Sequence, residues 1–465
     1  MGVRTRIAPS PTGEDMHIGN LQTALINYVY ARKHEGAFIV RIEDTDQVRK
    51  VEGSERVILQ TLKDYGLIYD EGPDKDGIFG PYRQSERLET YRIYIKELIE
   101  KNAAYYCICT KERLTKLREK QQQEKQIPRY DKHCLNHQVE VVKKVESGET
   151  HVVRLNVPEN KDITFHDSIR GDITINTSNI DDQVLMKSDG FPTYHLAVVV
   201  DDNFMKITHV IRGEDWISST PKHILLYQAF GWPLPVFAHT PLLRNPDKSK
   251  LSKRKNPVWA SYYLKEGFLP EAILNFLALM GWSHPQQKEI FDLEEFIKVF
   301  KLESMQAVGP AFDVVKLEWM NGEYIRRMKP DELADRIDKY YSGKLSKEII
   351  IKTIPLVQER IKKLSDYKPL SEFVFERPTK YQVDIKSHKK LIGKMGESLR
   401  SINNWNAEEI GRVMQELALA EKVKNSDFFM TLRIVVTGKK VSPPLNESME
   451  LLGKKETLAR IGAAS

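Results

Sequence analysis

Val3-Arg4-Thr5-Arg6-Ile7-Ala8-Pro9-Ser10-Pro11-Thr12-Gly13, followed by His17-Ile18-Gly19-Asn20, decides how this 465-residue chain is organised. From Val3 to Ala8 the residues alternate as in a strand, and the proline-rich run behind them forbids regular structure. Leu21, Ala24, Leu25, Tyr28 and Val29 then recur at helical spacing, Gly36 is placed to stop the helix, and Phe38-Ile39-Val40-Arg41-Ile42 reads as a second strand. Together they predict a βαβ unit. At the start of its helix, free N–H groups and the helix dipole favour an anion, Gly19 allows close approach, and His17 can donate to phosphate oxygens.

Working outward, a second α/β set lies far downstream. Its signals are a strand near Val210-Ile211, a helix from Pro221 to Phe230 with Gly231 as its stop, and a strand near Val236-Phe237. The sheet is therefore expected to be split by an insertion over roughly residues 105 to 190, where a charged helix from Glu112 to Lys125 precedes short strand-like runs such as His151 to Leu155. Beyond Asn321-Gly322 strand signals cease. Pro330 to Tyr341 and Lys347 to Leu364, the latter kinked at Pro355, read as amphipathic helices of a helical C-terminal domain. Lys250-Leu251-Ser252-Lys253-Arg254 follows the last α/β strand and can close on a triphosphate as a basic loop.

A chain this long exceeds one hydrophobic core, so about two to four domains are expected. With 41% hydrophobic and 29% charged residues and no apolar run long enough to cross a bilayer, a membrane protein is not expected. The first residues lack the apolar core of a signal peptide. A formal charge of +6 suits a polyanionic partner without requiring one. Cys107 and Cys109 are too close for ordinary disulfide geometry, and with Cys134 they make an odd total of 3. These features point to a reducing cytoplasm and to metal binding, since thiolates suit a closed, four-ligand zinc site. Buried, unliganded thiols are the alternative use.

The pairing of His17 to Asn20 with Lys250 to Arg254 resembles the HIGH and KMSKS signatures of class I aminoacyl-tRNA synthetases. Arg6 to Gly13, Arg41 to Asp46, Gly80 to Ser85, Pro192 to Ala197, Ile211 to Trp216 and Phe312-Asp313 look, more specifically, like the glutamyl-tRNA synthetases of bacterial type. The resemblance implies an α/β fold: a split Rossmann-like catalytic domain (1–104 and 191–248), an inserted α+β acceptor-binding domain (105–190), a loop and stem-contact region (249–322), and an all-α anticodon-binding domain (323–465). It implies glutamate, ATP with Mg2+, and tRNA(Glu) as partners, a cytoplasmic monomer, and a two-step reaction through glutamyl-adenylate. His17, Gly19, Lys250 and Lys253 would be catalytic, and Asn20, Trp216 and Ser252 would join them around ATP. Arg6, Ala8, Ser10, Glu43, Tyr194 and Arg212 would hold glutamate, with Glu43 on its ammonium. Asn20 departs from the second His of the family signature, and Val198 stands where some members carry Asn. Tyr130 is implied as the fourth zinc ligand beside Cys107, Cys109 and Cys134, with His133 and His137 as competitors. Arg360 is a candidate anticodon contact. A glutaminyl-tRNA synthetase is the nearest rival, and Arg212 favours glutamate.

Overall fold

The computed structural model describes residues 2–75, 77–249, 251 and 257–465, so the expected loop residues Lys250, Ser252 and Lys253 lie outside the described residues. The chain forms two units, one of Met1–Tyr262 with Leu274–Asp313, the other of Tyr263–Ile273 with Val314–Ser465. Among the described residues the strands are β1 (Arg4–Ile7), β2 (Ala37–Val40), β3 (Ala104–Cys107), β4 (Val152–Leu155), β5 (Asp162–Asp167), β6 (Gly171–Asn176), β7 (Val184–Met186), β8 (His209–Gly213) and β9 (Val236–Thr240).

In the first unit β1 and β2 pair in parallel through the helix α1 (Ile18–Lys33), which makes the expected βαβ unit. This helix buries Ile18, Leu21, Leu25, Ile26 and Val29. Its exit differs from the sequence reading. Glu35 takes the left-handed conformation (φ 51°) and Gly36 does not. A Cβ on residue 36 would stand 2.1 Å from the Val3 carbonyl oxygen, so that glycine is required by the close approach of β1.

The second βαβ unit runs from β8 through the helix Thr220–Phe230 to β9, and Gly231 (φ 71°) ends that helix as its sequence predicts. A bond from the Thr208 N–H to the Arg4 carbonyl (3.0 Å) sets β8 alongside β1. The sheet order is β6-β5-β9-β8, with β5 and β9 joined in parallel at Asp167 and Phe237. Thus the β5–β6 hairpin adds to the same sheet as β8. The strands β3, β4 and β7 form a separate antiparallel sheet, accompanied by the charged helix Lys111–Gln123.

The second unit is helical, without a strand among its described residues. One core packs Ile325, Leu333, Ile337, Ile350 and Ile354; another gathers Ile392, Met395, Ile410, Met414, Phe428 and Leu432. The helix expected over Lys347 to Leu364 spans Lys347–Val357, with Pro355 inside its last turn. Leu364 instead donates its N–H to the Gly267 carbonyl (2.9 Å). No helix of the described residues is long and apolar enough to cross a membrane.

Candidate active site

His17 caps α1: its Nδ1 accepts from the Gly19 N–H at 3.0 Å. An imidazole that accepts at Nδ1 carries its proton at Nε2 when neutral. His17 also bridges Trp259, and the Ile18 N–H donates to the Val258 carbonyl at 2.7 Å. The chain returning from the basic loop is thereby stitched to the start of α1. His17, Gly19, Asn20 and Trp216 line a cavity of about 250 Å³ together with Gly213, Asp215 and the stretch Thr240 to Leu243. Its floor is the end of β8 and β9, where a parallel sheet holds nucleotides.

Trp216 also packs against the buried cluster around Arg212. Its ring lies 4.1 Å from the ring of Tyr194, whose hydroxyl accepts from Arg212 Nη1 at 3.1 Å. Arg212 is 5% exposed. Its Nη1 also meets His223 Nδ1 (3.2 Å), Nη2 meets Thr220 Oγ1 (2.9 Å) and the Trp216 carbonyl (3.5 Å), and Nε meets His239 Nε2 (3.1 Å). All these partners are neutral. Burial, with Arg212 and the other cations nearby, holds His223 well below its ordinary pKa, and burial first lowers His239 as well. Glu214, two residues after Arg212, pairs instead with Arg170 (2.5 Å) and Arg244 (3.4 Å). Among the described residues, Arg212 is thus a buried guanidinium with no carboxylate among its hydrogen-bond partners.

Arg6 is placed differently. Asp202 takes its Nε and Nη2 at 3.1 Å each, and the Arg6 Nη1 donates to the Ile211 carbonyl. Arg41, fully buried, shares Asp202 (2.7 Å) and reaches Glu43 (3.1 Å). Burial opposes ionisation of Asp202, but Arg6 and Arg41 outweigh it and hold the carboxyl below its usual range. Glu43 is the reverse: burial raises it to about 6 against the pull of Arg41 and Arg6. Its charge is under-compensated, as suits a group that awaits an ammonium. The Glu43 N–H donates to the Pro9 carbonyl at 3.0 Å, which sets Glu43 beside the loop carrying half-buried Ala8 and exposed Ser10. Asp201 and Asp202 were not anticipated. They end an apolar run in the helix Tyr194–Phe204, and Asp201 stands seven residues after Tyr194 on the same face. An acidic pair inside so apolar a helix was the available signal.

In the β3–β4 region Cys107, Cys109 and Cys134 place their sulfurs within 4.8 Å of one another. The Tyr130 hydroxyl lies 3.5 Å from Cys107 Sγ and 3.2 Å from Cys109 Sγ. His133 and His137 fall outside that cluster; His137 Nδ1 turns to the His133 carbonyl at 2.7 Å. Hydrogen bonding from Cys134 holds the Cys107 thiol below its ordinary value, and Cys134 is raised in return. Such converged, partly ionised thiols with a phenol as fourth donor fit a tetrahedral zinc ion. Arg360, expected on a helix, is exposed in the turn after Val357.

Residues 2–319 match the family model of tRNA synthetases class I (E and Q), catalytic domain, and residues 331–465 match an anticodon binding domain. The chain is 46% identical to the glutamate–tRNA ligase of Acidothermus cellulolyticus, covering 100% of this chain and 96% of that one. It is 45% identical to that of Acinetobacter baumannii (99% and 93% covered). A crystal structure of a glutamate tRNA ligase from Elizabethkingia meningosepticum, in complex with its amino acid, superposes with a TM-score of 0.88 at 36% identity, over 99% of both chains. A split α/β sheet with His17 at its first helix, a helical second unit, and similarity along the full length lead to one conclusion: the chain belongs to the glutamate–tRNA ligases, class I aminoacyl-tRNA synthetases.

Proposed function

We propose that this ligase attaches glutamate to tRNA(Glu) with Arg212 reading the side-chain carboxylate and Glu43 the ammonium. The observation that carries the reading is the pair of unbalanced charges, a buried guanidinium with neutral partners and a buried carboxyl raised to about 6. Glutamate brings the complement of both. All five N–H donors of Arg212 already have acceptors, so the incoming carboxylate displaces the weakest, the 3.5 Å contact to the Trp216 carbonyl. Tyr194, accepting from Arg212, keeps its own hydroxyl proton to donate.

In the first step the glutamate α-carboxylate attacks the ATP α-phosphate and pyrophosphate leaves; in the second the terminal adenosine of tRNA takes the glutamyl group and AMP leaves. His17 lines the ATP cavity with Gly19 and Asn20 and acts on the phosphates as a hydrogen-bond donor, and Trp216 packs near the adenine. Lys250 and Lys253 neutralise charge as it develops, with Ser252 beside the ATP, which is positioning and electrostatics rather than covalent catalysis. Mg2+ accompanies the ATP. Cys107, Cys109, Cys134 and Tyr130 would hold a zinc ion, which would supply a structural cross-link to the inserted domain. We place the insertion at 105–190, with its β5–β6 hairpin returning to the catalytic sheet, the stem-contact region at 249–322 and the anticodon-binding domain from 323, with exposed Arg360 as a contact, in a cytoplasmic monomer. Pyrophosphate exchange into ATP tests the reading: exchange that needs both glutamate and tRNA supports it, and exchange equally supported by glutamine refutes it.

A further inference from the structure

Three neighbouring strands set Asp167, His239 and Arg212 in a row. Arg212 and His239 are register partners on β8 and β9, and Asp167 ends β5 on the far side of β9. We propose that Asp167 and His239 are positioning residues that aim the Arg212 guanidinium at the side-chain carboxylate of the amino acid.

The argument is one of donors and acceptors. Asp167 and His239 are both fully buried, and Asp167 Oδ2 accepts from His239 Nδ1 at 2.6 Å. A carboxylate only accepts, so the histidine proton sits on Nδ1 and its Nε2 offers a lone pair. Arg212 only donates, and its Nε–H lies 3.1 Å from that Nε2. The tautomer that Asp167 imposes is therefore the one Arg212 needs, and it fixes the guanidinium from behind. On the opposite edge His223 Nδ1 accepts from Nη1, so its proton sits on Nε2 and faces His195 Nδ1 at 3.1 Å. Burial holds both histidines well below their ordinary pKa, so their own rings add no charge beside Arg212.

Asp167→Asn is an isosteric test. Asp167 Oδ1 already accepts from the N–H groups of Ile169 (3.0 Å) and Arg170 (3.1 Å). The amide oxygen of Asn keeps that place and turns its NH2 to His239 Nδ1. The histidine proton then moves to Nε2 and meets the Arg212 Nε–H, donor against donor. The opposite amide orientation sets NH2 against the two backbone N–H groups instead. A companion pair separates the two duties of the ring. His239→Gln keeps an acceptor near the Nε2 position and loses the bond to Asp167; His239→Asn keeps the bond to Asp167 and loses the acceptor.

The inference rests on Arg212 reading the carboxylate, so Arg212→Ala is measured alongside. The readouts are KM and kcat for glutamate in tRNA charging and the preference for glutamate over glutamine. Asp167→Asn and His239→Asn should raise KM about tenfold to hundredfold, the usual consequence of one buried unmet donor, with a smaller change in kcat and a reduced preference. His239→Gln should fall between the unsubstituted enzyme and His239→Asn, because it keeps an acceptor for Arg212 and loses the hold of Asp167. A purely structural role predicts the opposite order, with His239→Asn the milder change, and that result overturns the proposal even if Asp167→Asn fails to fold. Unchanged KM and preference in Asp167→Asn and His239→Asn, with preference lost in Arg212→Ala, overturns the positioning role alone. Retained preference in Arg212→Ala overturns the reading beneath it as well.

Discussion

Arg212→Ala should strip the enzyme of most of its preference for glutamate while leaving the fold intact. Glutamate and glutamine have nearly the same shape, so the pocket separates them by charge. In the wild-type pocket glutamine leaves the guanidinium without an anion, at a cost of about 3–5 kcal/mol for breaking a buried pair, or roughly 100-fold to several thousand-fold in selectivity. The variant has no such penalty to impose. Its fold loses no ion pair, because Tyr194, Thr220, His223 and His239 are neutral acceptors that water can serve. Melting should thus shift by only a few degrees, about what 1 kcal/mol produces in a chain of this size or smaller. Arg6→Ala is the contrast: it leaves the buried Asp202 with Arg41 alone and should cost stability on the order of 3–5 kcal/mol. Arg212→Lys, which keeps the charge and loses the planar fork, should fall between wild type and Arg212→Ala in selectivity. The assay is pyrophosphate exchange with tRNA present, comparing kcat/KM for the two amino acids. An Arg212→Ala enzyme that folds and keeps the wild-type ratio would refute the reasoning.

Three further outcomes are expected. Because Glu43 holds a carboxyl raised to about 6, its protonation as pH falls removes the anion that binds the ammonium. Glutamate KM should be flat above about pH 7 and rise by up to about tenfold per unit below 6, a limb that Glu43→Gln abolishes; an unchanged limb in that variant assigns it to another group. Purified protein prepared without chelators should carry about one equivalent of zinc by metal analysis. Tyr130→Phe should weaken its retention, and metal-free protein would remove the zinc reading. Lys253→Ala should slow glutamate activation by roughly 100- to 1000-fold, about 3–4 kcal/mol, with tRNA affinity near normal; normal single-turnover activation would show that the basic loop does not act on the phosphate.

What could be read in the sequence was local. The strand, loop and helix around His17 carry their own signals within some thirty-three residues, and α1 begins at Ile18 as they imply. The three thiols were legible because they are every cysteine in the chain and lie in one region. The ring of acceptors about Arg212 was not, because it depends on the pairing of Arg212 with His239 across two strands and on β5 joining β9. Periodicity finds strands but does not specify which lie side by side. Local pattern also overran the helix after Lys347: Ile361 and Leu364 continue the apolar spacing, yet Leu364 is held by a backbone bond to Gly267, nearly a hundred positions away. Asp201 and Asp202 were hidden for a related reason, since a carboxylate in an apolar helix is explained only once Arg6, Arg41 and Arg87 are known to surround it.

The most direct measurement is charging itself: purified enzyme, ATP with Mg2+ and tRNA(Glu), with labelled glutamate in one reaction and labelled glutamine in the other, reading label joined to tRNA. Ester-linked, base-labile glutamate on the tRNA, with glutamine joined at least about 100-fold less efficiently, is the predicted result. Efficient joining of glutamine, or no joining of glutamate, would contradict it.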